Sequence, residues 1–265
     1  MRRLDYRYHM ELLFEQPVNR HHFTLRCLPG ENERQRVLTE QVRIEPDYTG
    51  GFETDSFGNR CIYGRMEKPH ERFLVDVTGT VQTEQNMAVR DTQMHRLGMY
   101  RYPTELTAMG ASLYKIFQKA SFDGESIMEQ GKYIMEAVFG HFCYEPGVTQ
   151  VTTTAEEAAA LGRGVCQDYA HVMLALCRQR RIPCRYVAGM LVGEGASHAW
   201  VELCDKGNWI AFDPTHNCMA DDRYISISYG RDAGDSPINQ GDFYGTTGQR
   251  QKVCVTVEEK QDSFV

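Results

Sequence analysis

The segment Arg163–Val172, RGVCQDYAHV, puts a cysteine behind a Gly-x-Cys entry and at the first turn of an amphipathic pattern. A thiol at a helix N-terminus faces unpaired backbone N–H groups, which favour its thiolate. Beside an imidazolium, the pKa of such a thiol falls from about 8.5 to roughly 3.5–7.5. Cys166 is therefore the candidate nucleophile, and its chemistry would be acyl transfer through a thioester. That chemistry needs a base, and the base needs a carboxylate to orient it.

Nine histidines compete for the role of base. His171 lies on the same helix, five positions on, and cannot fold back onto Cys166. His9, His21, His22, His70 and His95 lie outside the C-terminal part of the chain or at its edge, which leaves His141, His198 and His216. His198 sits in SHAWVELC, whose alternation puts His198, Trp200 and Glu202 on one face of a strand. DKGN is then a hairpin turn signal, and WIAFDPT returns. Pairing Asp205 with Asn208 sets Trp200 opposite Asp213, so His198 and Asp213 become diagonal neighbours on one face. A four-residue loop keeps this register and a three-residue loop breaks it. Asp213 can then fix the tautomer of His198 and stabilise its imidazolium. Singly, a strand histidine and an Asp-Pro are ordinary core and turn features; together with Cys166 they make a triad. Asp168, two residues past Cys166, points roughly 200° around the helix and should face elsewhere.

The elements that must hold these residues divide near residue 90, giving a β-rich domain at 1–90 and a catalytic domain at 91–265. In the first, LDYRYHMELLF, HHFTLRCL, QVRIEP, RCIYGRM and RFLVDVTGTVQ alternate between turn signals at Pro29-Gly30, Pro46-Asp47, Gly50-Gly51 and Gly58-Asn59. This predicts an antiparallel, sandwich-like sheet. No catalytic constellation stands out there. Beyond it, ELTAMGASLYKIFQKA and ESIMEQGKYIMEAVFGHF carry helical spacing, and EPGVTQVTT is a loop. Thr154 and Glu157 form a capping box before AEEAAALG. A helix from Cys166 to about Arg181 carries an apolar stripe of Tyr169, Ala170, Met173, Leu174 and Cys177, and Ile182-Pro183 closes it. Strands follow at CRYVAGMLV, SHAWVELC, NWIAFDPT, RYISISYG and QKVCVTVEE. The fold class is α+β.

A net charge of −7 argues against a nucleic-acid or anionic-membrane surface. The first residues, MRRLDYRYHMELLFEQPV, lack the apolar run and small-residue cleavage pattern of a secretory signal, and no 18-residue apolar span occurs. Nine cysteines, odd in number and without a C-x-x-C, fit reduced thiols in a cytoplasm rather than disulfides or a zinc site. His216, Cys218 and Cys204 lie near one another, but H-x-C without a second ligand pair is a weak metal pattern. No cofactor and no metal are expected.

The run RGVCQDYAHVMLALCRQRRIPCRYVAGML, then SHAWVEL, then WIAFDPT, resembles the transglutaminase-like superfamily over roughly residues 100–260. The resemblance implies a papain-like core and a Cys-His-Asp triad at Cys166, His198 and Asp213. FEQPVNRHHFTLRCLPGENERQRV and TDSFGNRC resemble the β-rich domain that precedes the enzyme in bacterial members, and SYGRDAGDSPINQGDFYG resembles the stretch that follows their aspartate. No mechanistic role emerges for Arg231, Asp232 or Asp235. The N–H of Cys166 is a candidate oxyanion donor; Tyr144 and Gln150 are both available as the second, with nothing to choose between them. The chain has neither the length nor the D-x-D-x-D-G loops of calcium-dependent cross-linkers. Hydrolysis of a peptide or isopeptide-like amide is the expectation. Amine transfer of the protein-glutamine γ-glutamyltransferase kind and an inert binding or scaffold module are the alternatives.

Overall fold

The computed structural model describes residues 1–85, 88–90, 94–120 and 126–260. Glu125, expected to open the second helix, lies outside these. The chain begins with a long strand, β1 (Arg2–Leu25), in which Leu4, Tyr6, Tyr8, Met10, Leu12 and Phe14 are buried at every second position. It is followed by β2 (Gln35–Glu45), β3 (Thr49–Thr54), β4 (Arg60–Met66) and β5 (His70–Thr83), all antiparallel. The first half of β1 pairs with β5 and the second half with β4, with a register shift between Leu13 and Val18. The two segments LDYRYHMELLF and HHFTLRCL are thus one strand. Gly50-Gly51 is not a turn but part of β3. A Cβ on Gly50 would lie 2.0 Å from the Tyr63 carbonyl oxygen, so glycine there allows a close backbone approach.

β6 (Ala88–Arg90) leads to the helices. The expected helix over 105–120 is shorter: a single turn at Glu105–Thr107, then α1 (Ala111–Lys119). Its start at Gly110 is capped from afar, by Glu156 accepting from the N–H groups of Ser112 (2.7 Å) and Leu113 (3.0 Å). α2 (Ile127–His141) carries a Ser126–Glu129 capping box. β7 (Cys143–Tyr144) precedes α3 (Ala155–Leu161), which has the Thr154–Glu157 box and ends on Gly162 at φ 64°. β8 (Arg163–Gly164) runs parallel to β7 and delivers the chain to α4 (Cys166–Gln179). α4 is buried from Asp168 to Arg178, not along one stripe, because helices, a sheet and a later loop enclose it.

The rest is β9 (Cys184–Leu191), β10 (Gly193–Gly195), β11 (His198–Asp205), β12 (Asn208–Asp213), β13 (Cys218–Met219), β14 (Tyr224–Gly230), β15 (Asn239–Tyr244) and β16 (Gln249–Glu259). Six strands form one sheet, ordered β13-β12-β11-β9-β14 with β6 beside β12. β10, β15 and β16 instead join the N-terminal strands in an eight-stranded sheet, with β15 and β16 both paired to β1. The sheets therefore do not divide where the chain was expected to divide, at residue 90. Residues 88–90 belong with β12, and 239–259 return to β1. Met190, Ile225 and Ile227 pack into the core of the eight-stranded sheet, so the two halves share a hydrophobic contact.

Candidate active site

The hairpin has the expected register: Asp205 pairs with Asn208 and Val201 with Phe212. Lys206 and Gly207 both have positive φ, 49° and 85°, as a two-residue turn of this hand requires. Val201, Leu203, Ile210 and Phe212 lie on the face that packs on the helices, β11 against α4 and α2 and β12 against α2, and the opposite face carries Trp200, Ala211 and Trp209. His198 and Asp213 share this second face, not the face that rests on the helix. His198 opens β11, at the end of the sheet, and from there it engages both Cys166 and Asp213.

Cys166 is half-buried at the first position of α4. The turn before it is held by Asp168, whose Oδ2 accepts from the Val165 N–H and the Thr149 hydroxyl, both at 2.7 Å. Asp168 therefore caps the helix and does not orient the base. A Cβ on Gly164 would lie 2.4 Å from that Oδ2, which explains the glycine of the Gly-x-Cys entry.

His198 donates from Nε2 to Asp213 Oδ2 at 2.7 Å, leaving Nδ1 for the sulfur. Asp213 is fully buried. Its Oδ2 also accepts from His216 Nδ1 (2.7 Å) and the Tyr224 hydroxyl (2.8 Å), and its Oδ1 accepts from the N–H groups of Thr215 (2.9 Å) and His216 (3.3 Å). Burial alone would push the carboxyl pKa up; the bonds from His198 and His216 prevail and bring it down to about 2. Burial likewise disfavours a charged His198, but the bonds to Asp213 and Cys166 override it and push the pKa to about 10. The base and its carboxylate are thus held as an ion pair. Trp200 lies beneath, stacked 6.2 Å from the His198 ring and edge-on to Tyr224 at 5.4 Å.

Two partners of Asp213 were not foreseen. The sequence offers His216 as a candidate base and as a weak metal ligand with Cys218 and Cys204, but not as a donor to Asp213; Cys218 meets the Tyr224 hydroxyl at 3.5 Å, and Cys204 is buried near Trp209. The signal for His216 was its place three residues after Asp213, across a Pro-Thr turn. Tyr224 had no local signal, since β14 reaches the site only through its pairing with β9. Among the described residues, His198, Asp213 and His216 are the group of His, Cys, Asp and Glu side chains close enough to share a cation, their donor atoms within 4.8 Å. A cation there would take Nε2 of His198 and break the ion pair, so the arrangement fits protons better than a cofactor metal.

Of the two oxyanion candidates, Tyr144 pairs in register with Gly164, two residues from Cys166. Partial burial raises its pKa, and the Cys166 charge adds to the effect. Tyr144 and Gln150 are both exposed, and the Gln150 backbone N–H donates to Thr153 Oγ1. The stretch after the aspartate acts as a clamp on α4. The Arg231 side chain forks onto Asp235 (2.7 and 2.9 Å), and Ala233 N–H donates to the buried His171 Nε2 at 3.2 Å. Arg178 reaches from α4 to Thr107 Oγ1 (2.6 Å) and to the Arg231 carbonyl. No helix among the described residues is long and apolar enough to cross a membrane.

Comparison with known proteins bears on the family and the fold. Residues 117–214 match the model of the transglutaminase-like superfamily, and residues 4–82 match that of the bacterial transglutaminase-like N-terminal region. An uncharacterized protein of Mycobacterium leprae is 28% identical over 272 residues, covering 92% of this chain and 94% of its own. An uncharacterized protein of Mycobacterium tuberculosis is 28% identical, with 87% and 83% covered. The crystal structure of a candidate cysteine protease from Cytophaga hutchinsonii superposes with a TM-score of 0.78 at 22% identity, covering 100% of this chain and 93% of that one. That likeness extends over both halves of the α+β fold. By both of its matched regions, the chain belongs to the transglutaminase-like superfamily, of the kind that carries the bacterial N-terminal region.

Proposed function

We propose that the protein is a thiol amidase or peptidase with Cys166 as nucleophile, His198 as base and Asp213 as orienting carboxylate. The observation that carries this is the unbroken link from a helix-mouth thiol through His198 to a buried carboxylate 2.7 Å away. Cys166 Sγ attacks the acyl carbon of an amide beside the already charged His198. The C–N bond breaks as His198 gives its proton to the leaving amine, leaving a thioester and a neutral imidazole. Water then attacks the thioester. His198 takes a proton from the water, and the C–S bond breaks with its electrons left on sulfur, releasing a carboxylic acid and restoring the charged His198. The N–H of Cys166 is the candidate donor to the oxyanion.

Hydrolysis is favoured over amine transfer because the sequence carries no calcium-binding loops, and a cross-linker inside a cell would be hazardous. An inert module is disfavoured because all three groups are present and two of them are already bonded. The substrate is a peptide or protein amide. All nine cysteines are free, which suits a reducing, cytoplasmic setting. The test is to incubate the protein and its Cys166→Ala variant with a peptide library containing glutamine amides, with and without a fluorescent primary amine. Free acid formed only by the unmodified protein supports hydrolysis. Amine incorporation in preference to acid would make it a transferase, and no product from either would make it a binding module.

A further inference from the structure

Among the described residues, the N-terminal sheet places no side chain on His198 or Asp213: the partners found for these two groups come from residues 166–224. Yet it holds the strand that carries one of them. Tyr224, which donates to Asp213 Oδ2, is buried at the start of β14. Two residues before it, the Asp222 carbonyl accepts from Thr83 Oγ1 at 2.6 Å, and the Asp222 carboxylate takes Arg2 Nε at 2.7 Å. Two residues after it, Gln35 grips Ser226 as a neighbouring strand would. Its Oε1 accepts from the Ser226 N–H at 2.7 Å and its Nε2 donates to the Ser226 carbonyl at 2.8 Å. Gln35 is itself buried and anchored by a second Nε2 bond, 2.7 Å, to the Gly30 carbonyl. Arg2, Gln35 and Thr83 all belong to the N-terminal strands.

We infer that Gln35 and Tyr224 are positioning residues for the Cys166–His198 pair. The N-terminal sheet fixes residues 222–226, and this fixes the hydroxyl that holds the orienting carboxylate. Asp213 Oδ2 faces three donors, and without Tyr224 the carboxylate is free to turn toward His216, on the exposed side, and away from His198. The sheet thereby gains a role in the reaction without entering the site. The inference rests on Cys166 and His198 being the reactive pair, and the test separates the two ideas.

The probe is iodoacetamide, and the readout is the rate of Cys166 alkylation from about pH 5 to 8, which needs no knowledge of the substrate. Tyr224→Phe and Gln35→Ala should each lower the rate at about pH 6 roughly tenfold and displace the pH profile in the same direction. The double variant should lose no more than Tyr224→Phe alone, since both changes act through one hydroxyl. A purely structural role for Gln35 would lower the melting temperature and leave the profile of the folded protein unchanged. Such a result, or losses that multiply in the double variant, overturns the inference. If Gln35→Ala does not fold, Thr83→Val loosens the other end of the same segment and is read in the same way. A wild-type Cys166 that reacts no faster than the exposed Cys143 overturns the reactive pair itself, and this inference with it.

Discussion

His198 donates to Asp213 Oδ2 at 2.7 Å across a hairpin in which the two residues are diagonal neighbours on one face. The carboxylate is buried and the imidazole carries the charge. Asp213→Asn keeps the volume but cannot stabilise that charge, and it can hold the ring in the wrong tautomer. Turnover should fall roughly 10²–10⁴-fold, as the same change does in serine proteases, while circular dichroism stays that of the parent. Asp205→Asn, in the turn, should have little effect. Retention of activity by a folded Asp213→Asn protein would remove Asp213 from the mechanism.

Labelling should single out one thiol. Cys27, Cys61, Cys177, Cys184 and Cys204 are buried, which leaves Cys143, Cys166, Cys218 and Cys254 within reach of a reagent. Burial pushes the Cys218 thiol pKa up. Only Cys166 combines access with a helix N-terminus and a charged histidine. Limited iodoacetamide at about pH 6, read by peptide mass spectrometry, should modify Cys166 first. Equal labelling of Cys143 and Cys166 would count against a tuned nucleophile.

The hairpin was legible because two alternating strands flank a turn of known hand, so register followed from counting. The helix-mouth cysteine was legible from its glycines. What surrounds Asp213 was not. Tyr224 arrives from β14 through long-range pairing, and alternation within a strand does not say which neighbour it meets. The same limit hid β15, and it hid the partner of β16, whose strand QKVCVTVEE is legible: both pair with β1, more than 200 residues earlier. Nor does alternation say which face of the hairpin meets the helices: it is the one carrying Val201, Leu203, Ile210 and Phe212, because a buried helix takes the wholly apolar face.

Gly164→Ala tests the entry to the helix. The new methyl would lie 2.4 Å from Asp168 Oδ2, the atom that caps α4 through Val165. Either the cap opens or the chain before Cys166 shifts. We expect a loss of about 1–3 kcal/mol in unfolding free energy, with slowed alkylation of Cys166. Asp168→Ala in the Gly164→Ala background should recover part of the clash cost, because the 2.4 Å approach to Oδ2 is removed while the 2.8 Å approach to the Cβ of residue 168 stays. Additive losses in stability would show that the glycine serves something other than this approach.

The last expectation concerns pH and lies in the N-terminal sheet. His21 is buried among Phe14, Phe23, Phe73 and Phe243, with Nδ1 3.1 Å from His70 Nε2. Burial, and then the His70 charge, lower its pKa from 6.5 to about 4; His22 adds to this and Asp242 opposes it. The folded protein therefore binds this proton less readily than the unfolded chain. The resulting stability is present above pH 6.5 and is lost as pH falls toward 4, by on the order of 2–3 kcal/mol. His171, lowered to about 4 by burial, acts in the same window. Asp213 contributes in the same sense but further down: its share is present above 3.8 and is lost as pH falls through about 2. His198 runs the other way. Its contribution is complete below 6.5 and is lost as pH rises through about 10. Thermal melts should accordingly peak near neutrality and fall steeply between pH 6.5 and 4. His21→Phe keeps an aromatic ring in that cluster and removes one titrating group, so its melting temperature should depend less on pH across the same window. An unchanged slope in that variant would assign the acid sensitivity to His171 and the catalytic half instead.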